Sequence, residues 1–318
     1  MMFNHKIIFS ISVLTSVMAL SACQPKQPEP KEKPAVQQVK VQPEILKLTG
    51  DVEKLTLDLP QCEGNRCPEI SIERLSSNQA FIDEWMDQHI LKQFVQILDI
   101  SPVLDRSPKL QAADPAKTET EQAASSAVVE TPKQKLEQQM TPYSVTFLAL
   151  DKELKDLSAN HQISVMITPK IVNTDLPLAT VVLNSSSYLG GAHGSSSQHY
   201  YNFDLKQKKH IELDDILLAN QKTILEKKAH DVFKTWVMDS KLANSVEEYE
   251  QAWQFTLSDN FYLSPKGLIL QYDAYEIGPY VVGLPQLIIP YDQLQTVLKK
   301  AYLPQTEQSA ASTAHSKK

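Results

Sequence analysis

Five of the eight glycines in this chain of 318 residues fall in two short stretches. The first is Tyr188-Leu189-Gly190-Gly191-Ala192-His193-Gly194. The second is Tyr275-Glu276-Ile277-Gly278-Pro279-Tyr280-Val281-Val282-Gly283. Glycine concentrated in this way marks backbone that takes positive φ or approaches another group closely. Because Tyr188, His193, Tyr275 and Tyr280 place hydrogen-bonding aromatic side chains on the same stretches, both are candidate recognition loops. Beside them, His193 and His199 flank Ser195, Ser196 and Ser197, with Asp204 and Glu276 as carboxylates. A Ser-His-carboxylate set can be assembled from these residues, but no nucleophile elbow or metal-binding helix motif accompanies it. His193 therefore reads as a hydrogen-bonding loop residue, and Asp204 and Glu276 as acceptors for loop backbone donors. The rivals are an envelope hydrolase using His193 and Glu276 as acid and base, and a non-catalytic structural envelope protein. Asp214 and Asp215 lack further carboxylates at calcium-loop spacing and read as the start of a helical segment. Trp236 and Trp253, set among apolar neighbours, read as core. No catalytic residue, cofactor or metal site is assigned.

The elements that must position these loops are mixed. Residues 45–59 are strand-like, with Leu55, Leu57 and Leu59 alternating onto one face. Phe81, Ile82, Trp85, Met86, His89, Ile90 and Phe94 recur at three and four, as a helix with one buried face does. Strand-like runs follow at 143–150, 163–171 and 178–183. A helix is expected over 221–237 and a shorter one near 246–253. Strands at 261–263 and 268–272 are joined by Ser264-Pro265-Lys266-Gly267, where Pro suits the second turn position and Gly the last. A strand at 287–289 leads into a helix from Asp292, with Leu294, Val297 and Leu298 facing inward. Strands and helices come in blocks, which predicts an α+β fold with a largely antiparallel sheet and a few packed helices. Polar, Pro-rich composition marks residues 24–43 as a tether and residues 305–318 as a tail. The polar segment at about 101–139 reads as a mobile insertion whose end, 132–140, forms a turn or two of helix.

The start of the chain predicts a location. His5 and Lys6, the apolar run 7–20, and Leu20-Ser21-Ala22-Cys23 follow the order of a lipoprotein signal peptide. The run is shorter than the ~20 residues of a spanning helix. Cys23 would carry acyl chains, each buried CH₂ contributing about 0.8 kcal/mol to membrane anchoring. Gln24 after it implies, by analogy with lipoprotein sorting, the outer membrane with the body facing the periplasm. Cys62 and Cys67 remain, separated by a turn-prone Gly64-Asn65, and read as a local disulfide suited to an oxidising compartment. Net charge is −7 and no dense Lys/Arg stripe is present, which argues against a nucleic-acid partner and permits a cationic protein.

The first glycine stretch, followed by Tyr201-Asn202-Phe203-Asp204-Leu205 and Leu213-Asp214-Asp215-Ile216, resembles the PdaC/RsiV-like extracytoplasmic domain superfamily. The order Phe261, Gly267-Leu268, Tyr272, the Tyr-Glu-Ile-Gly-Pro-Tyr element at 275–280 and Ile289-Pro290-Tyr291 continues the resemblance, which covers about residues 188–302. The resemblance implies binding more than catalysis, with lysozyme or peptidoglycan as the partner. By it, Tyr188, Gly190, Gly191, His193, Tyr275, Glu276, Pro279 and Tyr280 become the expected binding residues, the Pro- and Tyr-containing loop at 275–283 foremost. The deacetylase domain found in some members has no counterpart here, so deacetylation does not carry over.

Overall fold

Helix α1 (Ala80–Asp99) buries Ile82, Met86, Ile90, Phe94, Ile97 and Leu98 along one face, as its apolar spacing requires. It belongs to a computed structural model that describes residues 46–57, 59, 62, 66–99, 130–156, 162–175 and 177–304. The signal peptide, the tether, Cys23, the tail and residues 101–129 of the expected insertion lie outside the described residues. Before α1 come β1 (Gly50–Lys54) and β2 (Glu69–Ser77). Among the described residues no helix is long and apolar enough to cross a membrane.

The expected strand at 143–150 is instead part of a 25-residue helix, α2 (Pro132–Asp156). Its start has a local cause: Gln134 N donates to Thr131 Oγ1 and Thr131 N donates to Gln134 Oε1, a reciprocal cap with proline at the first helical position. Leu136, Met140, Phe147 and Leu150 then keep helical spacing across Pro142 and bury one stripe on α1. Local β-propensity in Tyr143-Ser144-Val145-Thr146-Phe147 loses to that longer period. Thr141, Ser144 and Thr146 hydroxyls donate to the carbonyls four residues back, which lets these residues sit in a helix.

Six strands form one sheet in the order β1 to β6, with β3 (Ser164–Asn173), β4 (Ala179–Tyr188), β5 (Ser195–Asp204) and β6 (Lys209–Ile211) following the two helices. All neighbours are antiparallel except β2 and β3, which run parallel because α1 and α2 lie between them in the chain. The strand expected over 45–59 ends at Lys54: Leu55 N still reaches Ile72 O, but Thr56 N turns to Glu137 Oε1 of α2. The ten-residue strand β5 was not expected, since its run of Ser, Gln, His, Tyr and Asn carries no apolar alternation. It pairs with β4 from Ala179↔Phe203 to Ser187↔Ser195.

A second sheet, β7 (Phe261–Ser264), β8 (Gly267–Gln271) and β9 (Gln286–Pro290), carries the expected hairpin, with Ser264 opposite Gly267. A Cβ on Gly267, whose φ is +152°, would strike the Ile289 carbonyl oxygen of β9. Short α3 (Leu213–Ile216), α4 (Lys222–Asp239) and α5 (Val246–Glu250) complete the body. The helix expected from Asp292 is a single 3-10 turn, Tyr291–Leu294. Leu294, Val297 and Leu298 do face inward, but the backbone after the turn pairs with the segment after α3, through Leu218 N to Val297 O and Lys299 N to Ile216 O.

Two apolar cores result. One lies between the large sheet and α1 and α2, and the other between the small sheet, α4 and the residues around Leu294. Side-chain amides join the sheets where no ladder runs. Buried Asn202 of β5 donates to Phe261 O at 2.8 Å and accepts from Thr180 Oγ1. Asn260 Nδ2 donates to Gln198 O at 2.7 Å and its Oδ1 accepts from Tyr200 N at 2.9 Å. Each buried amide is thereby satisfied.

Candidate functional site

The two glycine loops, 82 residues apart at the closest bonded pair, form one surface. The first closes the β4–β5 hairpin. Gly190 adopts φ +88°, and a Cβ there would lie 2.8 Å from Leu154 Cδ1 of α2. Tyr188 Oη donates to Gly191 O at 2.9 Å and braces the loop internally. The second loop connects β8 to β9. It opens on a turn in which Glu276 Oε2 accepts from Asp273 N at 2.8 Å, with Tyr275 at φ +68°. It continues past Pro279 through a 3-10 turn, Tyr280–Val282, and ends at Gly283 with φ +70°. Its root is anchored by Tyr249 Oη donating to the carbonyl of buried Ile277 at 3.0 Å. Gly278 fits against that phenol, since a Cβ there would come within 2.6 Å of Tyr249 Oη and 2.8 Å of Val282 Cγ2.

His193 is the joint between the loops. Its Nδ1 lies 3.0 Å from Gly194 O, and a carbonyl only accepts, so Nδ1 carries the proton. In neutral His193, Nε2 is then the acceptor for the Tyr275 hydroxyl at 2.9 Å. Tyr280 stacks on the His193 ring with centroids 4.1 Å apart and donates from Oη to Gly194 O at 3.1 Å. Trp253 lies 6.4 Å from the Tyr275 ring in a stacked orientation. The outer side of this cluster is apolar: Tyr275, Tyr280 and Val281 are 50%, 41% and 86% exposed.

This arrangement is an internally bonded aromatic knob. Both His193 ring nitrogens and both loop phenols are engaged by the protein itself, and among the described residues no carboxylate bonds His193. Glu276 holds its own turn, Asp204 accepts from Lys206 N and Gln207 N, and Ser197 Oγ pairs with Ser185 Oγ. Tyr188, Gly190 and Gly191 therefore shape the first loop, Glu276 and Pro279 shape the second, and His193, Tyr275 and Tyr280 meet between them. Asp215 Oδ2 accepts from Glu212 N in a capping box at α3, and Asp214 pairs with Lys222. Trp236 packs into the second core.

A group that the spacing of residues did not reveal lies on the other side of β5. Trp85 and His89 of α1 meet Tyr201 of β5 and His210 of β6, with Trp85 stacked 4.5 Å from His210. Burial, together with the neighbouring His89 imidazole, pushes His210 down to about 4, and burial also lowers His89. In the unfolded chain such imidazoles take up protons near pH 6.5. Between these values the unfolded chain binds more protons, so the contribution is complete above about pH 6.5 and is lost as pH falls toward 4. His210 is therefore expected to cost stability as the pH falls from about 6.5 toward 4. Urea unfolding at about pH 7 and pH 4 measures this: the loss should be smaller in His210→Phe, and an equal loss in both proteins would show that His210 is not responsible.

The architecture, an α+β body with a largely antiparallel sheet that carries its loops at the hairpin ends, defines the class of domain. Residues 214–292 match the model of a family described as a protein of unknown function, DUF3298. The fold is similar to that of a solved DUF3298 family protein from Pseudomonas aeruginosa PAO1, with TM-score 0.53 and 22% identity over 82% of this chain and 97% of that one. It is similarly close to a DUF3298 family member from Bacteroides fragilis NCTC 9343, with TM-score 0.52 and 16% identity over 81% of this chain and 96% of that one. The peptidoglycan-N-acetylmuramic acid deacetylase PdaC of Bacillus subtilis (strain 168) is 22% identical over 166 residues, 48% of this chain and 33% of the deacetylase. The chain thus spans about a third of the length of that curated relative. These likenesses support a PdaC/RsiV-like domain in this chain.

Proposed function

We propose that this protein is a lipid-anchored envelope lipoprotein whose aromatic knob docks into the substrate cleft of a lysozyme-type muramidase. The observation that carries this reading is the knob itself. Its polar atoms are bound internally, so it is shaped before binding, while Tyr275, Tyr280 and Val281 present apolar surface outward. A preorganised projection loses little conformational entropy on docking, and Pro279 limits it further. A stable complex would bury ~800 Å² on each partner, more than one loop offers, so the hairpin loop with Tyr188 and Gly191 belongs to the same footprint. The acidic balance of the chain suits a cationic muramidase. The test is titration calorimetry of the purified protein against a c-type lysozyme. Micromolar or tighter binding supports the reading, and no heat or complex removes that partner.

Acylation of Cys23 in the outer membrane belongs to the same proposal, as does a Cys62–Cys67 disulfide, whose Cα atoms stand 5.7 Å apart, within bridging range. Cys23→Ser is expected to move the protein from the membrane fraction to the soluble periplasmic fraction. An unchanged membrane fraction would refute the anchor. Intact mass before and after thiol alkylation reads both features on the native protein.

A further inference from the structure

Strand β6 pairs only with Asn202, Phe203 and Asp204 of β5, so the β5 edge at 199–201 continues without a strand partner beside it. The space next to that edge is a cleft of about 370 Å³, lined by His199, Tyr201, His210, Asp214, Lys222 and Asp259 among others. That is within the ~300–1,000 Å³ of small-molecule sites. None of the knob residues His193, Tyr275, Tyr280 or Val281 lines it.

The cleft differs from the knob in what its polar atoms do. In the knob every loop phenol and imidazole is engaged. In the cleft the Tyr201 hydroxyl and both His210 ring nitrogens have no hydrogen-bond partner among the described residues. Neither residue is among those with a sealed, unpartnered side-chain atom, so these groups are open to solvent and within reach of a ligand. His210 has one ring face on Trp85, so only its other face is open to a ligand in the cleft that it lines. Asp214 and Asp259 line the same cleft, with Lys222 shared between them at 3.1 and 3.6 Å. Three carboxylates, with Glu212 beside Asp214 and Asp259, and one committed cation disfavour an anion. Among the described residues no group of three or more His, Cys, Asp or Glu is placed to hold a metal ion. What remains is a wall of hydroxyl, imidazole and carboxylate groups, both donors and acceptors, around one apolar ring surface. A neutral sugar ring presents the complement: one C–H face for the aromatic surface and hydroxyls at its rim for the carboxylates and phenol.

We propose that this cleft binds a neutral pyranose ring of a glycan, separately from the knob. The Tyr201 hydroxyl and His210 supply one side of the contact and Asp259 accepts sugar hydroxyls from the other. The site does not depend on the muramidase reading.

The test is titration of the full protein with N,N′-diacetylchitobiose and with cellobiose, followed by the imidazole resonances in carbon–proton NMR. A saturable shift of His210 with a Kd on the order of millimolar, while His193 stays in place, is the expected result for at least one of the two. Tyr201→Phe keeps the ring and removes the hydroxyl, and Asp259→Asn changes an exposed side chain; each is expected to weaken binding about five- to ten-fold. Tyr280→Ala should leave the sugar titration unchanged, which separates this site from the knob. No saturable His210 shift with either disaccharide overturns the proposal. So do shifts confined to His193, or affinities unaltered in both Tyr201→Phe and Asp259→Asn.

Discussion

Tyr280→Ala is expected to weaken binding to a c-type lysozyme by roughly 30- to 1,000-fold, the range of a central aromatic anchor, with thermal unfolding little changed. Tyr280 is 41% exposed and outside both cores, so its removal spares the packing that holds the body together. Its loss to the knob is threefold. The aromatic area goes, the stack on His193 at 4.1 Å goes, and the hydroxyl that ties the second loop to Gly194 goes. Tyr280→Phe separates these contributions, since it keeps the ring and the stack while releasing the tie. It should lose far less than the alanine variant. Calorimetry of the three proteins against the same lysozyme decides the matter, and an alanine variant that binds as the parent does would rule out the knob as the docking element. Circular dichroism and thermal unfolding of the same samples report whether a weakened variant is still correctly folded.

Arg74→Ala should lower unfolding stability by about 3–5 kcal/mol, the cost of breaking a buried ion pair from one side. Arg74 is 5% exposed. From β2 it grips Asp87 of α1 through Nε to Oδ1 at 3.0 Å and Nη2 to Oδ2 at 2.9 Å, and reaches Glu53 of β1 through Nη1 at 3.2 Å. One guanidinium therefore pins a helix and an edge strand to the strand between them. Alanine leaves the Asp87 carboxylate, whose side chain is only 15% exposed, without its counter-charge. Arg74→Lys cannot make the two-point contact and should fall between the two. Pairing Arg74→Met with Asp87→Leu removes both charges and should recover much of the loss. Urea unfolding of the four proteins is the measurement, and an alanine variant within 1 kcal/mol of the parent would refute a structural role for the pair.

Local pattern made much of the body legible. The apolar spacing of α1 and of α4, the Ser264-Pro265-Lys266-Gly267 hairpin and the block order of strands and helices are properties of short windows, and they appear in the structure. Where a short window competed with a longer one, it misled. Tyr143-Ser144-Val145-Thr146-Phe147 has strand composition, but the stripe through Leu136, Met140, Phe147 and Leu150 docks on α1 and makes it helix. Strand β5 has no apolar alternation to announce it; what holds it to the second sheet is polar, the buried Asn202 amide on Phe261 O and the Tyr200 backbone on Asn260.

The sequence by itself determined which residues are unusual: glycines gathered in two loops, aromatic hydroxyls and an imidazole on those loops, and carboxylates that serve their own turns. Only the tertiary structure decided that the loops are one site. Tyr275 reaches His193 because the β4–β5 hairpin of one sheet and the β8–β9 connection of the other end at the same place, joined by Asn202 and Asn260 across the sheets. The cleft was decided there too, since it exists because β6 stops after three residues and leaves Tyr201 and His210 beside Lys222 and Asp259. Spacing along the chain records local periodicity, whereas these juxtapositions depend on where sheets end and how they pack, which no window of the sequence contains.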